Sequence, residues 1–294
     1  MRLGARIDRY LASTTTHLAV LAARAVLRQS DVRRRLDLLA ESQLAGWRAT
    51  SSNPIQRAGR KLFSQNDEDG IIAEIARRLR LDRGTFVEFG VGDGLENNTL
   101  ALLMAGWSGA WLGGEQLAFR VPPGCRRLAY KQAWITRENC EALLRETLPT
   151  IGAKDPDLVS VDLDGNDVYV VETLLSSGLR PAIFVVEYNG KFAPPTRFAV
   201  SYDPTFAWDG TDYFGASLQR FADVFDAHGY RLVCCNVTGL NAFFVQKSTG
   251  DCFADVPQDL SELYMPPRYF GPAQAGHPAS PRTIERFLQD DSTP

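Results

Sequence analysis

The sequence predicts an α/β protein in which a doubly wound, mostly parallel sheet ends in an antiparallel β-hairpin and follows an N-terminal helical extension. Three observations lead there. Short β-rich apolar runs alternate with helical patterns between residues 64 and 228, a glycine-rich turn follows the first run, and the last two runs are joined by a tight turn. A chain of 294 residues that is 45% hydrophobic and 23% charged can bury a full core and is not a disordered protein.

Taken in order, Leu and Val recur at helical spacing among Arg and Glu over residues 18–47, which predicts one or two amphipathic helices. The polar stretch Thr50-Ser-Ser-Asn-Pro54 reads as a linker. Ser64-Gln-Asn-Asp-Glu-Asp69 has the caps and acids of a helix N-terminus, and Ile71, Ile72, Ile75, Ala76 and Leu79 then share one helix face. The alternation that follows is strand 85–89, helix 98–105, strand 110–112, strand 129–135, helix 137–148, strand 158–163, helix 168–176 and strand 182–187. After a helix at 217–228, Tyr230–Cys235 and Asn241–Gln246 flank the turn Asn236-Val-Thr-Gly239 as a hairpin. The expected organisation is a basic helical extension (1–60), an α/β domain (61–250) and a Pro-rich tail (251–294) that wraps the surface or stays mobile.

Charge is distributed unevenly. Residues 1–60 hold eleven Arg and four acids, about +7, which leaves about −10 on the rest of a chain of formal charge −3. An acidic body argues against nucleic acid as a partner. The apolar stretch 18–27 is broken by Arg24 and is shorter than the roughly 20 residues of a membrane span, so no transmembrane helix is expected; peripheral membrane contact by the Arg-rich helices stays open beside a plain solvated helix. Five cysteines at irregular spacing give no disulfide framework and point to a reducing, cytoplasmic setting.

The chemistry concentrates where strands end. Glu88 near the end of the first strand and Gly90, Gly92, Asp93 and Gly94 directly after it let the backbone turn tightly beside a ligand. Glycines at every second position depart from the dinucleotide fingerprint, and Leu95-Glu-Asn-Asn98 intervenes before the helix, so a pyrophosphate is less favoured than a ligand lacking one. S-adenosylmethionine (SAM) is such a ligand, with cationic amino and sulfonium groups that Glu88 and Asp93 suit. A ligand-free turn is the plain alternative. Glu115, after the second strand, falls where a ribose would present its hydroxyls, although it also reads as a surface acid.

The segments Phe63-Ser-Gln-Asn-Asp-Glu-Asp-Gly-Ile71, Phe86–Thr99, Gly106-Trp-Ser-Gly-Ala-Trp111 and Val159–Asp167 together resemble the FkbM-type and related class I SAM-dependent methyltransferases over roughly residues 60–248. The resemblance implies a Rossmann-like methyltransferase sheet, SAM at the glycine turn and acceptors that are often hydroxyls of sugars or other small natural products. It does not extend to Gly113-Gly114, which stand where an acid is common in such proteins.

Asp162-Leu-Asp-Gly-Asn-Asp167 and Glu187-Tyr-Asn189 end neighbouring strands, so both should open on one crevice. Asp162, Asp164, Glu187 and Asn189 have the oxygen donors of a Mg²⁺ site. The same side chains serve equally as metal-free acid, base and substrate contacts, with Asp162 or Asp164 as the base, or as helix caps. The long aromatic stretch 192–214 reads as a lid, from which Asp203, Trp208 and Asp209 would face an acceptor, or as a packed loop. His228 reads as a helix end, His17 and His277 fall outside the core, and no Gly-x-Ser-x-Gly elbow is present, which disfavours a hydrolase. The expectation is O-methylation of a small molecule or carbohydrate; a non-catalytic binding module and a nucleotide-sugar enzyme on the same fold are the alternatives.

Overall fold

The computed structural model describes residues 31–268, 277 and 280–289. Part of the helical pattern over 18–47 therefore lies outside the described residues, and its described part is helix α1, Asp31–Thr50. The chain divides between Trp47 and Arg48, and the second unit contains the whole α/β architecture. No helix among the described residues is long and apolar enough to cross a membrane.

The sheet has seven strands: β1 (Thr85–Phe89), β2 (Ser108–Gly113), β3 (Leu128–Gln132), β4 (Leu158–Val161), β5 (Ile183–Glu187), β6 (Tyr230–Cys235) and β7 (Asn241–Gln246). Their spatial order is β3-β2-β1-β4-β5-β7-β6, with β1 to β5 parallel and β7 antiparallel to both β5 and β6. This is the doubly wound sheet with a terminal antiparallel hairpin that the sequence predicts. Strands β1, β4 and β5 lie in the middle of the sheet and are buried on both faces, so they read as near-continuous apolar runs.

Helices α2 (Pro54–Arg57), α3 (Glu68–Arg78), α4 (Leu100–Met104), α5 (Cys140–Thr147), α6 (Asp167–Ser176) and α7 (Leu218–Ala227) complete the main layers. On one face Phe225 of α7 stacks on Phe244 of β7 with ring centroids 4.0 Å apart, and Phe184 and Tyr230 close around it. Rings of this size supply much of the apolar area that holds a helix to a sheet. Strand 129–135 of the sequence reading is shorter in the structure, because Ala133 N makes the last bond to β2, on Gly113 O (2.8 Å).

The polar stretch 50–54 is tied down. Asn53 caps α2 through Ile55 N (2.9 Å), while its amide donates to Val233 O (2.8 Å) and Gln56 donates to Cys235 O (2.8 Å). Both carbonyls belong to β6, the last strand of the sheet, whose free edge would otherwise expose unpaired backbone groups.

Residues 192–214 form a small core of their own from Phe198, Val200, Phe206 and Tyr213, with Phe192 against it. After two 3₁₀ turns within Lys247–Phe253 and helix α8 (Leu260–Leu263), helix α9 (Pro281–Gln289) lies on that core. Phe287 packs on Phe192 and Phe198, and the Arg282 guanidinium sits 4.1 Å from the Tyr213 ring centroid. The bolt is Asp212, a buried carboxylate that accepts from Lys191 Nζ (2.7 Å), Ser280 N (2.8 Å) and Thr283 Oγ1 (2.7 Å). Burial alone would raise its pKa, but these donors outweigh it and hold the carboxyl below its ordinary value. Replacing Asp212 with Ala removes the counter-charge of Lys191 and leaves two further donors unmatched. It should lower stability by roughly 2–4 kcal/mol in denaturant titration and hasten proteolysis within 280–289.

Candidate active site

The β1 turn is built on close backbone approach. Gly90 N and Val91 N both donate to Leu112 O of β2 (2.9 and 3.2 Å), while Asp162 N donates to Phe89 O (3.0 Å). The turn is thereby wedged between the ends of β2 and β4. A β-carbon on Gly90, whose φ is +92°, would overlap the Asp162 carbonyl, so only glycine fits. Gly92 differs, because a β-carbon there would find a single neighbour, Glu115 Oε2 at 3.9 Å. The turn is open at Gly92 and the Glu115 carboxylate stands over the opening. Asp93 closes the far side with an Asx turn to Leu95 N (3.0 Å), and Gly94 adopts φ +86° against Leu117, Phe119 and Trp111.

Glu88 is buried behind this turn. Its carboxylate accepts from Asn98 N (2.9 Å), Thr99 N (3.1 Å) and Thr99 Oγ1 (2.5 Å), and Thr99 Oγ1 in turn accepts from Trp111 Nε1 (2.8 Å). These bonds anchor the start of α4 to β1 and tie the Glu88 carboxylate into the frame of the turn. Burial raises its pKa, and the bonds from Thr99 and Asn98 oppose the rise.

At the end of β4 the acids divide into different roles. Asp167, the first residue of α6, accepts from Leu163 N (2.7 Å) and Gly165 N (2.9 Å) and so closes the 162–167 turn. Burial still lifts its pKa to about 6. Asp162, Asp167 and Glu187 place carboxylate oxygens within 4.8 Å of one another. Burial, reinforced by neighbouring acids, pushes Asp162 and Glu187 well above the carboxylate range, and the two are close enough to hydrogen-bond. Two buried carboxyls this close do not both ionise unless a cation joins them. Asp164 lies apart from the three, exposed on a residue with φ +56°.

Other expected contacts have local work. Asn189 is buried and donates to Asp212 O (2.9 Å) and Phe214 O (3.0 Å), so it braces the 212–214 segment instead of joining the acid group. The Asp203 carboxylate is engaged by Thr205 N (2.8 Å) and Oγ1 (2.7 Å), and only its carbonyl meets the site, accepting from Asn166 Nδ2 (2.7 Å). Trp208 remains 38% exposed, with its indole N–H on Thr211 O and its ring against Phe214 and His277. The 192–214 loop reaches the crevice at Phe206, whose ring presses on Gly165, and at Pro204 O, which accepts from Trp134 Nε1 (2.7 Å).

Several residues of this edge escaped the sequence reading. In Asp67-Glu-Asp69 the acids do more than start a helix. Asp69 Oδ2 gathers Leu62 N, Phe63 N and Ser64 N at 2.7–2.9 Å, while Glu68 Oε1 accepts from Asn236 (2.6 Å) and Asn241 (3.0 Å) at the hairpin. Asn241 sits opposite Glu187 in the β5–β7 register, and both Asn241 Oδ1 and Glu187 Oε2 are buried without a hydrogen-bond partner. Every buried unpaired side-chain atom among the described residues is an acceptor oxygen, belonging to Asp67, Asp69, Asn166, Glu187 or Asn241. His277, expected outside the core, stands against Trp208 and Phe214 with ring centroids 4.6 and 5.6 Å away.

No protein-family model and no curated protein matches the chain. Among solved structures, a putative hemolysin from Lactococcus lactis is 13% identical, covering 69% of this chain and 98% of that one with a TM-score of 0.42. The N-terminal domain of EvdMO1 with SAH bound is 13% identical, covering 74% and 97% with a TM-score of 0.37. A precorrin-6y C5,15-methyltransferase from Geobacter metallireducens GS-15 is 15% identical, covering 64% and 91% with a TM-score of 0.34. These likenesses are distant, and the fold assignment rests on the strand order of the chain itself.

Asp67 gives the edge a measurable pH dependence. It is buried, neither carboxylate oxygen has a hydrogen-bond partner, and Arg48 is 3.9 Å away. Burial first and Glu68 second lift its pKa to about 7. A carboxyl raised in the folded state favours folding below its unfolded pKa and loses that contribution as pH rises through about 7. Stability should therefore decline between about pH 4 and pH 8. Asp67→Asn should flatten this slope and be the more stable protein at pH 8, by roughly 2–4 kcal/mol in denaturant titrations run across that range.

Proposed function

We propose that this chain is a SAM-dependent methyltransferase acting on a hydroxyl of a small molecule or carbohydrate. The observation that carries the reading is the chemistry of the crevice. Its floor is a backbone turn open at Gly92, an acid stands over that opening, and the carboxylates of Asp162, Asp167 and Glu187 gather at the neighbouring strand ends. Among the described residues no Lys or Arg is bonded to Glu88, Glu115, Asp162, Asp167 or Glu187. SAM supplies a methyl group on a cationic sulfonium and carries an ammonium as well. Acids favour such charges, whereas the phosphates of a nucleotide sugar call for Arg or Lys, which disfavours that alternative.

In this reading the backbone of Gly90, Gly92 and Gly94 admits the cofactor, Asp93 fixes the turn, Glu115 accepts from the ribose hydroxyls and Glu88 holds the frame. Burial and the neighbouring acids raise the Asp162 and Glu187 pKa values, burial raises that of Asp164 as well, and Asp164 is the exposed carboxylate offered to an acceptor hydroxyl. Lining up the hydroxyl oxygen with the methyl group provides much of the rate, and a group that receives the proton provides the rest. A non-catalytic module would have no use for these groups. The five unpaired cysteines fit a reducing compartment, and we read the protein as cytoplasmic.

A second reading follows from the mutual spacing of Asp162, Asp167 and Glu187, which suits a divalent cation such as Mg²⁺. Those three would hold it, without Asp164 or Asn189, and it would supply Lewis acidity toward the acceptor hydroxyl.

Calorimetric titration of the stripped protein should show micromolar binding of SAM and S-adenosylhomocysteine, abolished by Gly92→Arg, with no competition from NAD or UDP-glucose. Absence of SAM binding rejects the methyltransferase. Titration of Mg²⁺ alone decides the second reading: heat lost in Glu187→Gln supports the metal site, and no heat in the native protein removes it.

A further inference from the structure

The tip of the 192–214 loop is tied to the sheet edge on both sides of the glycine turn. On one side the Trp134 indole N–H donates to Pro204 O (2.7 Å), and Trp134 directly follows Ala133, whose N–H makes the last bond of the β3 side to β2. On the other side Asn166 Nδ2 donates to Asp203 O (2.7 Å), and the Phe206 ring lies so close on Gly165 that a β-carbon there would meet it at 2.3 Å. Gly165 and Asn166 belong to the turn that follows β4.

Strand order decides what lies between these two attachments. The sheet runs β3-β2-β1-β4, so the ends of β2 and β1 fall between them, a gap of three strand spacings or about 14 Å. Just beyond those ends lie Glu115 and the glycine turn that opens at Gly92. A bridge made of the indole, the loop tip and the Asn166 amide therefore passes over the opening. The tip is a single compact turn, because Asp203 O accepts from Phe206 N (2.9 Å) and the Asp203 carboxylate accepts from Thr205 N and Oγ1. Trp134 also borders the opening, since a β-carbon on Gly114, the neighbour of Glu115, would lie 3.6 Å from its ring.

The two attachments differ in strength. Phe206 is buried in the loop's own core, 6.3 Å from the Tyr213 ring and 5.6 Å from the Arg282 guanidinium, so the β4 side is held by packing. On the β3 side a single neutral hydrogen bond comes from a tryptophan that is 57% exposed. Exchanging such a bond for one to water costs little. The bridge thus gives way first beside Glu115.

We propose that residues 203–206 are a strap across the cofactor opening, hinged where Phe206 meets Gly165 and latched by Trp134, and that the latch opens each time cofactor enters or product leaves. The ligand is the one the methyltransferase reading assigns, and the proposal rests on that reading. A strap of this kind screens reacting groups from water and makes release a gated step.

The test uses the full chain with Trp134→Phe, which keeps a ring beside Gly114 and removes the N–H that Pro204 O accepts. Association and dissociation rates of S-adenosylhomocysteine are measured by stopped-flow mixing for the native protein and the variant. A latch obstructs passage in both directions, so both rates should rise together, by roughly 3- to 10-fold, with the equilibrium affinity unchanged. Faster dissociation alone would mark Trp134 as a contact of the ligand, and unchanged rates would mark the strap as no barrier; either result overturns the proposal. If the native protein binds no S-adenosylhomocysteine, the methyltransferase reading fails and the strap assignment falls with it.

Discussion

The contact between the first and fourth strands governs everything at the carboxyl edge of this sheet. Parallel pairing of β1 with β4 brings the Asp162 carbonyl onto the α-carbon of Gly90. No side chain fits between the two strand ends, so the glycine turn and the acid turn are set at a fixed distance by backbone alone. Gly113 repeats the device on the other flank, where a β-carbon would overlap the Val91 carbonyl. A crevice framed this way has its two turns held by backbone contact.

Around that frame, buried acids are used in two distinct ways. Glu88, Asp69 and Asp167 are surrounded by backbone N–H donors and act as internal caps that hold loops in shape. Asp162, Glu187 and Asp67 lack such compensation and resist ionisation. Sequence gives no direct sign of the difference, since all six are carboxylates near strand or helix ends. Donor geometry separates them, and it separates the residues that maintain the site from those available to respond to a charged ligand.

The order of elements was legible because each depends on local pattern: apolar runs of strand length, helical spacing and a tight hairpin turn. The glycine turn was legible too, as was the convergence of two acid-bearing strand ends. Legibility failed where a role is set by contacts distant in sequence. Nothing near Asn189 in sequence announces that its amide donates to Asp212 O and Phe214 O, and nothing near Glu88 that Asn98 and Thr99 fold back on its carboxylate. Nothing near His277 in sequence signals that Lys191, 86 positions earlier, holds its carbonyl. Asp203 is the opposite case: Thr205, two residues on, engages its carboxylate, a pattern present in the sequence as Asp-x-Thr.

The edge strand β6 sets a practical limit on shortening the protein. Asn53 and Gln56 cover its outer carbonyls, and Arg48 supplies the nearest positive charge to Asp67. A chain begun at residue 61, where composition alone would suggest trimming, loses all three at once. It would present a bare, twisted ribbon edge to its neighbours in solution, together with an uncompensated acid inside. Self-association through that edge is then a hazard of the cut, and a chain begun before Arg48 avoids it.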